Sequence, residues 1–270
     1  MRIRIGHSQD ADDAFMFYAI AKGKLPLEGG LEVVHVVEEI ERLNERALRG
    51  ELEVTALSLH AYFYCQDAYE LLSCGASIGD RYGPILVARQ EDAFEGLEEK
   101  RVAIPGRLTT AYLVLKLYAE GFQELFLPFD QIVDGVKRGE ADLGLLIHEG
   151  QVTYQESGLQ KVADLGEWWH RQTGLPLVLG VDAVRRDLAP ELKQKIDRML
   201  KESIRYALDH REEALAYALQ FGRGMDRVKA DRFVGMYVNK WTLDYGEKGK
   251  AGIEELRRRA GKIGLLWMSR

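Results

Sequence analysis

Apolar and polar residues along the first 90 positions follow two periods. Short alternating or apolar runs predict strands at residues 2–5, 31–37, 53–59 and 84–89. Between them, residues 11–21 are apolar almost all round, which indicates a buried helix. Residues 40–48 form a second predicted helix, which Gly50 is placed to end.

The same pattern restarts at residue 101. Strands are predicted at residues 102–104 and 143–147, and helices at residues 109–119 and 129–138. The first of these strands ends at Pro105-Gly106, and the second leads directly to His148. Repeated strand–helix units predict an α/β protein with largely parallel sheets.

The last third of the chain is helical in period, and no strand is predicted beyond about Val184. The helical segments are residues 188–208, 212–221, 227–239 and 248–263. They are predicted to pack back onto an earlier α/β layer, which gives two lobes with a ligand cleft between them. The larger lobe is residues 1–89 and 176–270, and the smaller, inserted lobe is residues 90–175. The charged stretch 89–100 is the predicted linker.

Composition excludes several classes of function. The 270 residues include 37 Lys and Arg against 43 Asp and Glu, a formal charge of −6, so neither nucleic acid nor an anionic membrane is an expected partner. No apolar run approaches the ~18 residues of a membrane span, and the N-terminus has no secretion-signal pattern. Cys65 and Cys74 fit neither a zinc site nor a disulfide framework, which favours a reducing cytoplasm. The sequence specifies no oligomeric state.

His148 is the main candidate for chemistry. It follows a predicted buried strand, and ligands of open α/β sheets bind beyond the carboxyl ends of the strands. A histidine there can act as a general base, because its ordinary pKa lies near neutrality. The alternative is a histidine that only caps the strand end through a hydrogen bond.

Hydroxyl residues follow two other predicted strands. Thr109 and Thr110 begin a helix after the turn at Gly106, and the N–H groups of a helix start can hold an anion. Either threonine can instead simply cap that helix. The segment Thr55-Ala56-Leu57-Ser58 ends a strand in the same way. Both segments are candidate sites for a carboxylate.

Two further polar patterns have a structural interpretation. Asn44 lies within a predicted helix, where a polar residue is normally solvated. Asp10, Asp12 and Asp13 precede an apolar helix, where aspartates cap the helix and complement its dipole. The run lacks the glycine and the closing glutamate of a calcium loop, so no metal site is predicted. The sequence has no phosphate-binding loop, dinucleotide fingerprint or zincin motif.

Several motifs occur together in the order and spacing of a known family. They are Ser8…Asp12-Asp13-Ala14-Phe15, Leu43-Asn44, Leu57-Ser58, Pro105-Gly106-Arg107-x-Thr109-Thr110-Ala111-Tyr112, Leu146-Ile147-His148-Glu149, Thr153-Tyr154, Asp164-Leu165-Gly166-x-Trp168-Trp169, Thr173-Gly174-Leu175-Pro176-Leu177 and Tyr237-Val238-Asn239. Through these motifs nearly the whole chain resembles the 1,4-dihydroxy-6-naphthoate synthases of the futalosine route to menaquinone.

The resemblance implies a fold and a reaction. The family is similar in fold to periplasmic solute-binding proteins of type II, an α/β fold of two lobes around a ligand cleft with a helical C-terminal segment. It implies a lyase that cleaves cyclic dehypoxanthine futalosine to 1,4-dihydroxy-6-naphthoate, with release of a sugar-derived fragment. No metal or organic cofactor is implied. The implied partner is a small molecule, an aromatic carboxylate with a spiro-linked sugar.

The resemblance also implies roles for individual residues. His148 corresponds to the general base of the family. The substrate-contacting segments correspond to Ala56, Leu57, Ser58, Thr110 and Ala111, and further pocket positions correspond to Asn44, Asp13 and Tyr154.

The chain departs from the family pattern at the first strand–helix turn. Many members have Ser-Pro-Cys-Pro-Asn-Asp where this chain has Ser8-Gln9-Asp10-Ala11-Asp12-Asp13. Asp12 thus replaces a neutral amide and is expected to repel a substrate carboxylate placed nearby. Ala56 stands where some members have lysine, and Gly150 where some have serine.

Two other functions stay open at this point. One is chorismate dehydratase, an enzyme of similar fold in the same pathway, and the other is a non-catalytic solute-binding protein of the cytoplasm. The Ile147-His148-Glu149 and Thr109-Thr110-Ala111-Tyr112 motifs fit the naphthoate synthase better than the dehydratase. A histidine at the end of a strand that faces the cleft argues against a binding protein without activity.

Overall fold

The computed structural model of the protein describes residues 1–89, 96–222 and 225–266. Residues 90–95 of the predicted linker and residues 223–224 and 267–270 of the predicted larger lobe lie outside these ranges. The strands are β1 (Arg2–His7), β2 (Glu32–Val37), β3 (Val54–Ser58), β4 (Tyr69–Leu71), β5 (Ser77–Gly79), β6 (Ile85–Ala88), β7 (Arg101–Ile104), β8 (Gln123–Phe126), β9 (Leu143–Leu146), β10 (Gln160–Asp164) and β11 (Leu177–Arg185). The helices are α1 (Ala11–Ala21), α2 (Ile40–Leu48), α3 (Leu59–Cys65), α4 (Thr110–Tyr118), α5 (Ile132–Arg138), α6 (Gly150–Thr153), α7 (Leu165–Thr173), α8 (Pro190–Asp209), α9 (Arg211–Ala218), α10 (Arg227–Tyr237), α11 (Lys240–Leu243) and α12 (Gly246–Lys262).

The strands form two mixed sheets. The first has the order β2-β1-β3-β11-β4, with β5 also paired to β11, and the second has the order β10-β6-β9-β7-β8. β1 runs parallel to β2 and β3, and β7 runs parallel to β8 and β9. β11 is antiparallel to each of its three partners, and β6 is antiparallel to β9 and β10.

The prediction of largely parallel sheets is therefore wrong, although the α/β class is confirmed. Parallel neighbours arise where a helix carries the chain back over its own sheet. β6 and β11 are instead the strands by which the chain enters the second sheet and returns to the first. Neither completes a strand–helix–strand unit within its sheet, and both run against their neighbours.

The chain crosses from the first sheet to the second and later back, and these two crossings indicate where the lobes begin and end. β5 belongs to the first sheet and β6 to the second, so the chain first crosses between residues 79 and 85. It returns between β10 and β11. The division at residues 89/90 and 175/176 stays a prediction, and from these strands we propose a first boundary before β6.

α1 and the C-terminal helices form the core on one side of the first sheet. α1 is buried from Ala11 to Ile20, as its all-round apolar pattern predicts, and it packs against α8, α9 and α10. This packing fixes the turn between β1 and α1 at the carboxyl end of β1. No helix within the described ranges is both long enough and apolar enough to cross a membrane.

Candidate active site

A cavity with about 680 Å³ of empty volume, partly open to solvent, lies between the two sheets. Elements of both sheets contribute to its wall. The first sheet and its helices supply Ser8, Asp10, Asp12, Asp13, Ala56, Leu57, Ser58, Ser77, Phe233 and Tyr237, and the second supplies Thr109, Thr110, Ala111, Ile147, His148 and Gln151. The loop after β1, the ends of β3 and β9, and the first half of β11 thus meet at one cleft.

His148 lies in the turn after β9, between that buried strand and α6. Its backbone has φ 58°, in the left-handed region that non-glycine residues rarely adopt, and such strain is often kept at functional sites. The ring of Phe129 packs edge-on against the imidazole, with 4.9 Å between the ring centroids. Nδ1 of His148 lies 2.8 Å from Oδ2 of Asp10.

Two opposing effects set the pKa of His148. Burial lowers the pKa, but the charge of Asp10 and its hydrogen bond raise it, with smaller contributions from Glu149 and Asp12. The net result is a pKa raised to about 9. In this structure the side chain is therefore an imidazolium near neutral pH, paired with a buried carboxylate.

Asp10 is held by Ser8 on the other side. Oγ of Ser8 donates a hydrogen bond of 2.6 Å to Oδ2 of Asp10, and the Asp10 N–H donates to the same Ser8 Oγ. Asp10 is the N-cap residue of α1 by position, but its side chain makes no capping hydrogen bond. The interpretation of Asp10 as a helix cap is wrong, because its carboxylate points across the cleft to His148.

Three more buried carboxyl groups, those of Asp12, Asp13 and Asp182, lie near this pair. Asp13 accepts a hydrogen bond of 2.6 Å from the Ser8 N–H, yet burial and the nearby Asp10 raise its pKa to about 6. Burial, reinforced by Asp13 and Asp10, raises the pKa of Asp12 well above its ordinary value. Burial raises the pKa of Asp182 likewise. The neutral form is therefore favoured for Asp12 and Asp182, so the repulsion expected from Asp12 is weakened.

Asn44 is fully buried and holds Ser58. Its Oδ1 accepts a 2.7 Å hydrogen bond from the Ser58 N–H, and its Nδ2 donates to Ser58 Oγ at 3.1 Å and to Glu41 Oε2 at 3.2 Å. Because Ser58 Oγ accepts from Asn44, its own proton can be donated into the cavity. Asn44 is therefore not the solvated residue that its position within a helix indicates.

The start of α4 forms another part of the wall. Thr109 caps the helix by accepting a hydrogen bond from the Tyr112 N–H at 3.2 Å. The Thr110 hydroxyl donates to the Leu179 carbonyl at 2.6 Å and accepts from the His60 N–H at 3.1 Å. The Thr110 hydroxyl proton and the Tyr112 N–H are thus already used, so the N–H groups of Thr110 and Ala111 are the donors of this turn offered to an anion.

The structure brings most of the residues singled out from the sequence to this cavity. Seven of them line it: His148, Asp13, Ala56, Leu57, Ser58, Thr110 and Ala111. Asn44 lies behind the wall, and Tyr154 packs in a separate apolar cluster beside the second sheet.

Sequence reasoning missed three residues of the wall as partners in the site: Asp10, Gln151 and Tyr237. The Tyr237 hydroxyl donates a 2.6 Å hydrogen bond to Gln151 Oε1, between α10 and α6. Tyr237 was part of a family motif, but no local pattern pairs it with Gln151. Within the described part of the chain, no group of three or more His, Cys, Asp or Glu side chains is arranged to hold a metal ion.

Two lobes around a ligand cleft define the class of protein, the periplasmic-binding-protein-like fold. A solved ligand-binding component of an ABC-type import system from Staphylococcus aureus superposes with a TM-score of 0.71 at 13% identity, covering 98% of this chain and 92% of that one. Similarity at this level of identity concerns the fold alone. The prediction of this fold is confirmed.

The particular family follows from the sequence. Residues 3–262 match the family described as "Menaquinone biosynthesis", and the chain belongs to it. A 1,4-dihydroxy-6-naphthoate synthase of Thermus thermophilus is 41% identical over 97% of this chain and 95% of its own length. A second, from Streptomyces coelicolor, is 37% identical over 98% of this chain and 94% of its own length. A crystal structure of a protein from Archaeoglobus fulgidus has 48% identity and a TM-score of 0.94, and covers 98% of both chains. The family resemblance is confirmed, and the protein is an enzyme of menaquinone biosynthesis.

Proposed function

We propose that the protein is a lyase that converts cyclic dehypoxanthine futalosine to 1,4-dihydroxy-6-naphthoate, with His148 as the general base. The observation that carries this proposal is an ionisable histidine at the end of a strand, aimed into a cavity between two lobes. Near full-length similarity to two relatives named for this product supports the choice of reaction.

The polarity of the cavity suits an aromatic carboxylate that carries a sugar-derived ring. The Ser58 hydroxyl and the first N–H groups of α4, at Thr110 and Ala111, can donate to the carboxylate. Asp12 and Ser77, joined by a 3.3 Å hydrogen bond, can bind hydroxyl groups. Ala56 and Leu57 present an apolar surface to the ring system. We do not propose a substrate contact for Tyr154.

Asn44 and Asp13 act indirectly in this proposal. Asn44 orients Ser58 through two hydrogen bonds. Asp13 fixes the loop after β1 by accepting from the Ser8 N–H. Both are positioning residues, and their replacement would change substrate affinity through Ser58 and through the loop.

The reaction begins when His148 has lost the proton on its outer ring nitrogen, which then takes a proton from the substrate. Ring opening and loss of the sugar-derived fragment follow, and formation of the aromatic diol provides the driving force. Contacts across the cleft, such as the hydrogen bond from Tyr237 to Gln151, support a site that is closed to bulk water during the reaction. We place the reaction in the cytoplasm, which the buried, unpaired thiols of Cys65 and Cys74 support.

A product assay on the purified protein tests the reaction. Incubation with cyclic dehypoxanthine futalosine should give a mass-spectrometric signal for dihydroxynaphthoate, and incubation with chorismate should give no dehydrated product. Loss of water from chorismate would favour the dehydratase instead. A ligand-dependent rise in melting temperature without any product would favour a binding protein, because a ligand that binds only the folded state stabilises it.

A further inference from the structure

We propose that Asp10 is a positioning residue for His148, and that it holds the imidazole from the opposite side of the cleft. This inference rests on the proposed function for the role of His148 in the reaction, but the pair itself is a feature of the fold. Asp10 follows β1 of the first sheet, and His148 follows β9 of the second. The 2.8 Å contact between them therefore joins the two lobes at the cavity wall.

Burial and a hydrogen bond from Ser8 hold the Asp10 carboxylate in place beside His148. Its side chain is 4% exposed and that of His148 is 15% exposed, so water screens the pair little. Ser8 Oγ donates to the same Oδ2 atom that contacts His148. The carboxylate makes no capping bond to α1, which would have turned it toward its own helix.

This geometry selects one tautomer of the imidazole. When the imidazolium loses a proton, Nδ1 keeps its own in the hydrogen bond to Asp10, so Nε2 is the ring nitrogen left to accept a proton. When Nε2 takes a proton from the substrate, the imidazolium that forms is stabilised by the adjacent carboxylate. Asp10 therefore acts on the reaction only through the orientation and charge of His148.

Other charges also face the imidazole and need to be separated from the effect of Asp10. Asp12 and Asp13 approach from the start of α1, and Glu149 lies next to His148 at the start of α6. Burial favours the neutral form of Asp12, and the charge and hydrogen bond of Asp10 have larger effects on His148 than Glu149 or Asp12. Replacement of Asp10 alone should therefore lower the pKa of His148 from about 9.

Asp10 also distinguishes this chain from the family pattern. At this place the family pattern quoted above has cysteine, so the resemblance does not imply a carboxylate beside the general base. The cysteine offers a second variant, Asp10→Cys, that is compatible with the same loop in relatives. Asp10→Asn is the closer isostere, because it removes the charge and keeps the size.

The experiment measures the pKa of His148 directly and then compares it with the rate. NMR titration of protein labelled with ¹³C at histidine, with the His148 signal assigned through His148→Gln, should give a pKa that falls by about 1–3 units in Asp10→Asn and Asp10→Cys. The exposed Asp134, in α5, provides the control Asp134→Asn, which should leave the His148 signal unchanged.

The pH dependence of kcat/KM separates the two proposals. In the wild type, kcat/KM should rise with pH toward about 9, because the free enzyme must lose the proton on His148 before the ring can act as a base. In Asp10→Asn the rising limb should move to lower pH by the same amount as the NMR pKa. An unchanged NMR pKa in both variants would overturn the positioning role of Asp10. A lower NMR pKa with an unmoved rate profile would support the pair and overturn the proposed base.

Discussion

Asp12 lies in the cavity wall, where the sequence indicated a charge that would repel the substrate. The structure buries it beside Asp13 and Asp10, and both the burial and these neighbours raise its pKa. A neutral carboxyl has nearly the size and polarity of the amide at the same place in the family pattern. The substitution therefore changes the charge of this site less than the residue names indicate.

Stability measurements on Asp12→Asn test whether the Asp12 carboxyl group is neutral in the folded protein. A buried acid with a raised pKa takes up a proton on folding at pH values between its unfolded and its folded pKa, so across that range it destabilises the fold increasingly as pH rises. The variant should therefore gain melting temperature over the wild type, with a larger gain at pH 8 than at pH 5. A gain that is equal at both values, or that shrinks as pH rises, would mean that Asp12 is charged in the folded protein.

Single residues also show where sequence reasoning succeeds and where it stops. His148 was identified because its position depends on one local feature, the end of an apolar strand. Local patterns indicated Asp10 as a helix cap and Asn44 as a solvated residue, and only the family resemblance implied a pocket position for Asn44. Their partners, His148 and Ser58, lie in other elements, so only the assembled fold shows why both are buried.

At the scale of elements, the turn before α4 is joined to α2 across the cleft. Glu41 of α2 accepts hydrogen bonds of 2.9 and 3.3 Å from the Leu108 N–H, and it also accepts from Asn44. Gly106 lies so close that a Cβ there would overlap the Glu41 carboxyl group. One glycine thus allows the turn to approach the helix that orients Ser58.

Gly106→Ala should disturb this junction. We expect a loss of about 1–3 kcal/mol in the free energy of unfolding, because the displaced Glu41 carboxylate gives up its hydrogen bonds from the Leu108 N–H and from Asn44. A higher KM for the substrate should accompany it, since Asn44 orients Ser58. Gly261→Ala in α12 is the matched control, because the nearest atom to its added Cβ is 3.9 Å away. In Glu41→Ala/Gly106→Ala the two losses should not add, because the clash is gone. Full additivity in thermal and kinetic measurements would contradict the contact.

Six of the described strands and eight of the described helices were predictable because each has its own periodic signal, whereas β4, β5, β8, β10 and β11 were not predicted. α1 was identified from its continuous apolar residues, and the four C-terminal helical segments correspond to α8, α9, α10 and α12. Strand direction was not predictable in this way. The antiparallel pairing of β6 and β11 depends on where the chain passes from one sheet to the other, and no local sequence pattern indicates where that happens.

At the scale of the whole molecule, the lobes meet through polar contacts around one cavity. Asp10 contacts His148, Tyr237 donates to Gln151, and Glu41 accepts from Leu108. Each contact pairs an element of the first sheet with an element of the second. These contacts line or adjoin the cavity, so we expect any opening of the cleft to break them and a bound substrate to favour the closed arrangement. Both lobes therefore supply residues to the proposed active site.

We propose that a histidine supplied by one lobe acts as the base on a substrate bound between both lobes. The decisive experiment is turnover of cyclic dehypoxanthine futalosine by His148→Ala, with the substrate Kd measured by calorimetry. The control is His210→Ala, at an exposed histidine between α8 and α9. We expect a fall in kcat of about 10²–10⁴-fold for His148→Ala, a Kd close to that of the wild type, and an unchanged control. Near-native turnover by His148→Ala would show that His148 is not the base.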